Sequence, residues 1–389
     1  MREGWKKRKL GEVCETTSGG TPSKSKVEYY ENGNIPWLRS GEVDRKYIDT
    51  TELFITELGL KNSSAKWFPV NTVVIAMYGA TVGQVGILKK EMTTNQAICG
   101  IFPNDLLCPA FLYYFFITQR DNYLRIATGG AQPNISQTII KNTYIPFPSL
   151  SEQQHIVSEL DCLNGIIEKK KEQLKQLDEL AQSIFYDMFG DPVENEKGWE
   201  VSTLGSFSNF KNGINFKKAE NGNLVYFLSV SDFADKKKIE DLSDFSTVLV
   251  DSSIDENYYL QDEDIVFVRS NGSKKLVGRS IIVYPGENKV TYSGFCIRCR
   301  ITRNSVDFIG FLLSCSSVRK VIDHLGRGAN ISNLNQQLLS SIQVIEPPLE
   351  LQQQFAQKIT AIEQQKKLIK QSLTETETLF NSRMDYYFG

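Results

Sequence analysis

The chain has 389 residues, 41% of them hydrophobic and 23% charged, too long for a single core of about 250–300 residues and too apolar for global disorder or a fibrous repeat. Its longest apolar runs, such as 72–77 and 113–117, fall far short of the ~18–20 residues of a membrane span, and the N-terminus MREGWKKRKLGEV has no apolar signal stretch. A cytoplasmic chain of two domains is expected. The net charge of −2 excludes a uniformly basic nucleic-acid binder, but it hides a partition: +4 over residues 1–150, −4 over 151–190, −2 over 191–349 and 0 over 350–389. Any phosphate-binding surface is therefore local.

The first half reads as strands punctuated by Gly, Asn and Ser, as in NTVVIAMYG (71–79), with a short helix at 109–119. Its stretch TSGGTPSKSK (17–26) combines glycines that let backbone amides approach phosphate with Thr21, Ser23, Lys24 and Lys26. MYGATVGQ (77–84), TTNQA (93–97) and GGAQPNIS (129–136) add Tyr78, Thr81, Asn95, Gln96, Gln132 and Asn134. Asn and Gln can pair with adenine edges, and Arg39 with guanine. Any one of these residues can also be read as part of a solvated turn whose glycines serve geometry alone.

From Ile156 the positions spaced alternately four and three apart are Ile156, Leu160, Leu163, Ile167, Lys170, Leu174, Leu177, Ala181, Ile184 and Met188, apolar at nine of ten. A 3.5-residue period of this length predicts a coiled-coil seam rather than a helix lying on a globular core. Ser151 with Gln154 resembles a capping box at its start, and Gly190 stands where it stops.

The second half repeats the first. GWEVSTLG (198–205) matches GWKKRKLG (4–11), KLVGR matches ATVGQ, and ANIS (329–332) matches PNIS (133–136). Strands are expected at DIVFVRS, RSIIVYPG and FCIRCRI, with a short helix at 307–314. The loop VRSNGSKKLVGR (268–279) occupies the place of MYGATVGQ and carries Arg269, Asn271, Lys274, Lys275 and Arg279; Arg269, like Arg39, could read guanine. Lys211, Asn212, Arg327 and Asn330 complete the candidate DNA-binding set. A second helix then falls into register with the first at an offset of 199, its stripe containing Phe355, Ile359, Ile362, Lys366, Ile369, Leu373 and Phe380 before the ending MDYYFG, which echoes FYDMFG at 185–190.

Two stripes of roughly 37 residues, each about 55 Å long, should pair with each other. The domain between them has an expected diameter near 40 Å, from a radius of gyration of roughly 15 Å, so only an antiparallel pair puts its exit and return side by side. The expected fold is α+β: two homologous domains (1–149 and 191–348) and two spacer helices (150–190 and 349–389) packed as an antiparallel coiled coil with pseudo-two-fold symmetry.

Catalytic equipment is sparse. There are two histidines, His155 and His324, no phosphate-loop motif and no methyl-donor loop. Seven scattered cysteines suggest reduced thiols, and the lone C-x-x-C of Cys296 and Cys299 lies in an alternating strand pattern rather than a metal framework. A duplicated coiled-coil scaffold for other proteins is the competing reading.

The order of domain, helix, domain and helix, with GWKKRKLGEV, GGTPSKS, IPWLRSGEV, YGATVGQVGI, TNQAI, GGAQPNIS and IPFPSLSEQQHIV, and their echoes in FGDPVENEKGWEVSTLG, GRGANIS and IEPPLELQQQF, resembles the DNA specificity subunit of type I restriction-modification enzymes over essentially the whole chain. The resemblance implies two target recognition domains, each reading one part of a split DNA site, and helices that set the spacing and dock two methyltransferase subunits. It implies two restriction subunits as further partners, with S-adenosylmethionine, ATP and Mg2+ held by the partners and none of them by this chain. The charged stretch 168–172 is a candidate docking face.

Overall fold

A computed structural model describes residues 5–127, 133–215, 218–233, 236–250, 253–270, 276–325 and 334–389. Two compact units result, Met1–Lys171 with Gln371–Gly389, and Glu172–Lys370. Each contains one globular domain and a stretch of both long helices.

In the first unit, a five-stranded sheet runs in the order Thr16–Ser18, Ile98–Ile101, Val73–Ala76, Val85–Leu88 and Tyr47–Ile48. In the second, the order is Ser208–Asn212, Cys296–Ile301, Asp264–Val268, Ser280–Val283 and Lys238–Ile239. Only the last pair of each sheet is parallel. A smaller sheet in each unit also repeats one parallel pair, Ile35–Leu38 with Met92–Thr94 and Lys218–Leu228 with Val290–Tyr292. The duplication written in the sequence is thus a duplication of topology.

The apolar runs are buried on both faces, as period-two alternation requires when a sheet lies between two cores. Ile265 and Phe267 fill the core shared with the helices, whereas Val266 and Val268 fill the core shared with the smaller sheet. The same alternation explains the C-x-x-C. Cys296 and Cys299 are an odd number apart on one strand, so they enter different cores, and burial pushes both thiols up to about 12. They are structural cysteines that cannot chelate together.

Each long helix has 40 residues, Leu150–Phe189 and Leu349–Phe388. The first is capped two residues earlier than Ser151 suggests: the Glu152 amide donates to Ser149 Oγ at 3.2 Å, which leaves Ser151 inside the helix. The stop is as expected, with Gly190 at φ 75° and its amide on the Tyr186 carbonyl at 2.8 Å, a conformation that costs glycine nothing.

The pairing is antiparallel in each unit. In the first, Glu159 accepts from Arg383 at 2.9 Å and Tyr387 at 2.6 Å, while Lys170 donates to Thr376 at 2.7 Å and to the Ser372 carbonyl at 2.9 Å. In the second, Lys366 donates to Asp178 at 2.9 Å and the Phe185 and Phe355 rings lie 5.4 Å apart. Advancing along one helix always retreats along the other.

Of the expected seam, Ile156, Leu160, Ile167, Phe355, Ile359 and Ile362 are buried, and Leu163, Leu174, Leu177, Ile184, Ile369, Leu373 and Phe380 are half-buried. The contrast drawn between a seam and a helix lying on a core needs correction, because these helices do both. Ile156 and Leu160 share a core with Phe111, Tyr114 and Phe115. Off the seam, Phe185 and Phe189 are fully buried with Phe308, their rings 5.9 and 4.8 Å from it.

Those contacts give the repeated ending its physical purpose. Phe189 closes the core of the second domain and Phe388 closes that of the first, 5.3 Å from Phe111. The tryptophan of each GW motif covers the same phenylalanine end. Trp199 donates to the Phe189 carbonyl at 2.9 Å, and Trp5 stacks on Tyr387 at 6.4 Å. Among the described residues no helix is long and apolar enough to cross a membrane.

Candidate nucleic-acid interface

Strand direction gathers the candidate loops of the first unit. Ser18 ends one strand of the large sheet, Ala76 ends another, and Ile98 and Val85 begin two more, all at the same end. The loops 19–26, 77–84 and 93–97 therefore emerge together. Segment 133–136 joins them, with the Gly79 amide on the Pro133 carbonyl, the Ile135 amide on the Met77 carbonyl (both 2.9 Å) and a bridge between Tyr78 and Asn134.

Thr21 hydrogen-bonds Gln96 across two of these loops, and the Asn95 amide is fixed to the Leu38 carbonyl at 2.9 Å, which places Arg39 beside it in the chain. Tyr78 is 45% exposed at this end, and Thr81 folds back onto the Tyr78 carbonyl at 3.1 Å. Ser23 and Lys24 are exposed. Lys26 turns onto its own Tyr29, donating to the hydroxyl at 3.1 Å.

Two expectations change in physical meaning. The glycines of 17–26 do not hold their amides out for phosphate: Gly19 donates to the Ile98 carbonyl at 3.3 Å and Gly20 to Thr94 at 2.8 Å. They are glycines because a Cβ would stand 2.1 Å from Thr94 and 2.2 Å from Ser64. Arg39 is not an open guanidinium, being bonded to Glu42 at 3.3 Å and Glu52 at 2.5 Å. Glu42 lies below the usual carboxylate range, because burial that would raise it is outweighed by the amides of Glu52 and Arg39, Thr51 and the Arg39 side chain.

The second unit repeats the convergence. Asn212 and Val268 end strands, and Ser280 and Cys296 begin them, at one end of the large sheet. Lys211 has its ammonium 4.0 Å from the Tyr258 ring centroid, and the Gly213 amide after Asn212 donates to the Cys296 carbonyl at 3.0 Å. Arg269 and Arg279 stand at the two feet of the hairpin that follows Val268, both half-buried. Gln132, Asn271, Lys274, Lys275, Arg327 and Asn330 lie outside the described residues.

Hydrogen bonds give the residue-by-residue correspondence. The Gly83 amide donates to the Ala76 carbonyl at 2.9 Å, and the Gly278 amide to the Val268 carbonyl at 2.8 Å; both glycines have φ near 75°. Met77 and Gln84 are thus the counterparts of Arg269 and Arg279. Likewise the Ile135 amide bonds the Met77 carbonyl and the Leu334 amide bonds the Arg269 carbonyl at 2.9 Å, while Ser136 and Asn335 cap equivalent short helices. Ile135 and Ser136 therefore correspond to Leu334 and Asn335; ANIS at 329–332, matched to PNIS in the sequence, lies outside the described residues.

Three participants carried no signal in the sequence. Arg319 donates to the Val277 carbonyl at 2.7 Å, Phe295 is 56% exposed beside Arg269, and Glu52 holds Arg39 from outside its own turn. Glu42 could have been found, since it stands three residues after Arg39, the spacing of a capping box. Among the described residues no three His, Cys, Asp or Glu side chains come together as a metal site would require.

The model of the type I restriction modification DNA specificity domain matches residues 2–178 and again 196–378. A relative, the MjaIX type I restriction enzyme specificity subunit of Methanocaldococcus jannaschii, is 33% identical over 243 residues, 57% of this chain and about half (55%) of its own length. The StySPI specificity subunit of Salmonella potsdam is 24% identical over 408 residues, 98% of this chain and 87% of that one. The crystal structure of a type I restriction-modification S subunit from M. genitalium has the same fold, with a TM-score of 0.62 at 18% identity over 99% of this chain and 96% of that one.

Proposed function

Because the chain belongs to the type I restriction modification DNA specificity family, we propose that it is the non-catalytic DNA-reading subunit of a type I restriction-modification complex. Each unit reads one half of a bipartite site in double-stranded DNA, through the loops gathered at one end of its large sheet. The observation that carries this is the pairing of identical topology with different loop chemistry: Gln84 in one unit stands where Arg279 stands in the other, and Met77, buried in the first unit's core, stands where half-buried Arg269 stands. Two readers with different side chains accept different base edges, so the site is asymmetric.

The long helices set the spacing between half-sites and offer the docking surface for adenine methyltransferase subunits, with the exposed charges Glu168, Lys169, Lys171 and Glu172 on the first helix as the candidate face. Two methyltransferase and two restriction subunits complete the assembly. S-adenosylmethionine, ATP and Mg2+ belong to those partners, and the adenine is turned out of the stack in the methyltransferase. Family membership favours DNA reading over a duplicated scaffold that binds only proteins.

The experiment is to co-express the chain with its methyltransferase partner and map N6-methyladenine across the host genome. The expected result is one non-palindromic motif in two parts with an unread spacer. A contiguous motif, or methylation without sequence preference, refutes the proposal.

A further inference from the structure

The two described feet of the connection between the strands Asp264–Val268 and Ser280–Val283, at 269–270 and 276–279, are pinned from several sides. The Val268 amide donates to the Arg279 carbonyl at 2.9 Å, the Arg269 amide to Phe295 at 2.8 Å, and the Leu334 amide to the Arg269 carbonyl at 2.9 Å. These backbone bonds fix the first foot and the cross-strand register. The returning foot has backbone bonds of its own, Gly278 to the Val268 carbonyl at 2.8 Å and Arg279 to the Leu276 carbonyl at 3.0 Å, but the Val277 carbonyl between them is held by a side chain: Arg319, on the helix Ser316–Leu325, donates to it from Nη2 at 2.7 Å. One turn on, Asp323 pairs with Arg319 at 3.2 Å and orients the guanidinium.

Behind the hairpin there is no slack. A Cβ on Gly278 would stand 2.5 Å from Ile322 Cγ2 and 3.2 Å from Arg319 Nη1. The first unit has the same glycine turn at Gly83, where a Cβ would meet Arg120 Cγ at 3.0 Å. Arg120 supplies contact there, but among the described residues it makes no hydrogen bond to the hairpin.

Resting on the reading of this chain as a DNA-specificity subunit, we propose that Arg319 is a positioning residue for sequence reading by the second unit. It does not touch DNA. Its bond to the Val277 carbonyl fixes where the hairpin presents Arg269 and Arg279, and so decides how sharply the second half-site is read. A base-edge contact is directional, and a foot displaced by a fraction of an ångström gives up discrimination before it gives up charge attraction.

The test uses the full chain with its methyltransferase partner, the wild-type motif obtained by methylome mapping, and two duplex pools, each randomised in one half-site. Arg319→Met keeps the stem and removes the donors; Arg319→Lys restores a donor and the charge. The expected result is a roughly tenfold loss of discrimination at one half-site for Arg319→Met, no change at the other, partial recovery in Arg319→Lys, and no change at either half-site for Arg120→Met. Equal losses at both half-sites, or unchanged discrimination with a lowered melting temperature, would show a purely structural role and overturn the proposal. Should Arg319→Met fail to fold, wild-type discrimination in Arg319→Val or poorer discrimination in Arg319→Lys than in Arg319→Val overturns it equally. A wild-type complex with no sequence preference would instead bring down the specificity reading itself.

Discussion

The unit formed by Met1–Lys171 with Gln371–Gly389 and the unit formed by Glu172–Lys370 agree in strand order and helix packing and part company where strands run out. The large-sheet order, the single parallel edge pair and the left-handed glycine of the central hairpin recur. At corresponding positions neutral Met77 and Gln84 take the places of cationic Arg269 and Arg279, and the second connection is three residues longer in sequence. A sheet buried on both faces tolerates little change of volume, whereas the exposed side chains of a loop at its end are freer to vary. Under the proposed function, packing and reading are therefore separable in this fold, and each half of that statement can be broken.

The largest effects should come from the space-filling half. Phe189 is fully buried and Phe388 is 4% exposed, each in the core of one unit. Truncating either to alanine is expected to cost about 3–5 kcal/mol, measured by denaturant titration. If the units are equivalent in packing, the two costs agree and each variant destabilises its own unit, as limited proteolysis of the two domains would show. A Phe388→Ala chain that melts like the wild type would mean that the C-terminal ending is ornament in the first unit and structure only in the second.

How much of this was legible beforehand follows the same division. The duplication, the two long helices and the Gly190 stop were legible because apolar period and glycine geometry are local properties of sequence. The purpose of the phenylalanines was not. Phe185 and Phe189 lie off the 3.5-residue seam, and only the tertiary structure puts Phe308 against them. The helix start was placed at Ser151 because Ser151 with Gln154 and Ser149 with Glu152 offer the same capping spacing two residues apart. At the loops, residue type suggested donors, but Arg39 is held by Glu52 thirteen positions away and Gly20 lies against Ser64, long-range contacts that composition does not encode.

A middling effect lies in the helix pair, where the seam is interrupted by Lys366, 6% exposed and bonded to Asp178 and Glu363. Burial works against both charges. In Asp178 it is outweighed by the hydrogen bond and charge of Lys366 and then by Lys237, which hold the carboxyl below its usual range; in Lys366 it is outweighed by Asp178 and Glu363, which hold the ammonium above its own. A depressed carboxyl stabilises the fold above its unfolded value of about 4, a contribution lost as pH falls through the folded one; a raised ammonium stabilises below about 10.4 and is lost as pH rises through its folded value. Asp178→Asn should therefore cost about 1–3 kcal/mol at neutral pH, flatten the acid limb of a melting-temperature profile and bring the alkaline limb to lower pH. An acid limb identical to wild type would remove the pair from the account.

The smallest effects, and the sharpest for the comparison, belong to two arginines that look alike in sequence. Arg39 and Arg269 each follow a strand, Ile35–Leu38 and Asp264–Val268, at the end of a unit proposed to read DNA. Arg39 spends its guanidinium on Glu42 and Glu52, whereas among the described residues no carboxylate holds Arg269. Neutralising a phosphate releases counterions, so a cation that meets DNA contributes to the salt dependence of binding and one already paired within the protein does not. With the methyltransferase partner present, Arg269→Ala is expected to make the slope of log K against log salt shallower by about one, and Arg39→Ala to leave it unchanged. Matching changes for both variants would show that Glu42 and Glu52 release Arg39 when DNA arrives, and the two reading ends would then be more alike in their chemistry than their side-chain contacts indicate.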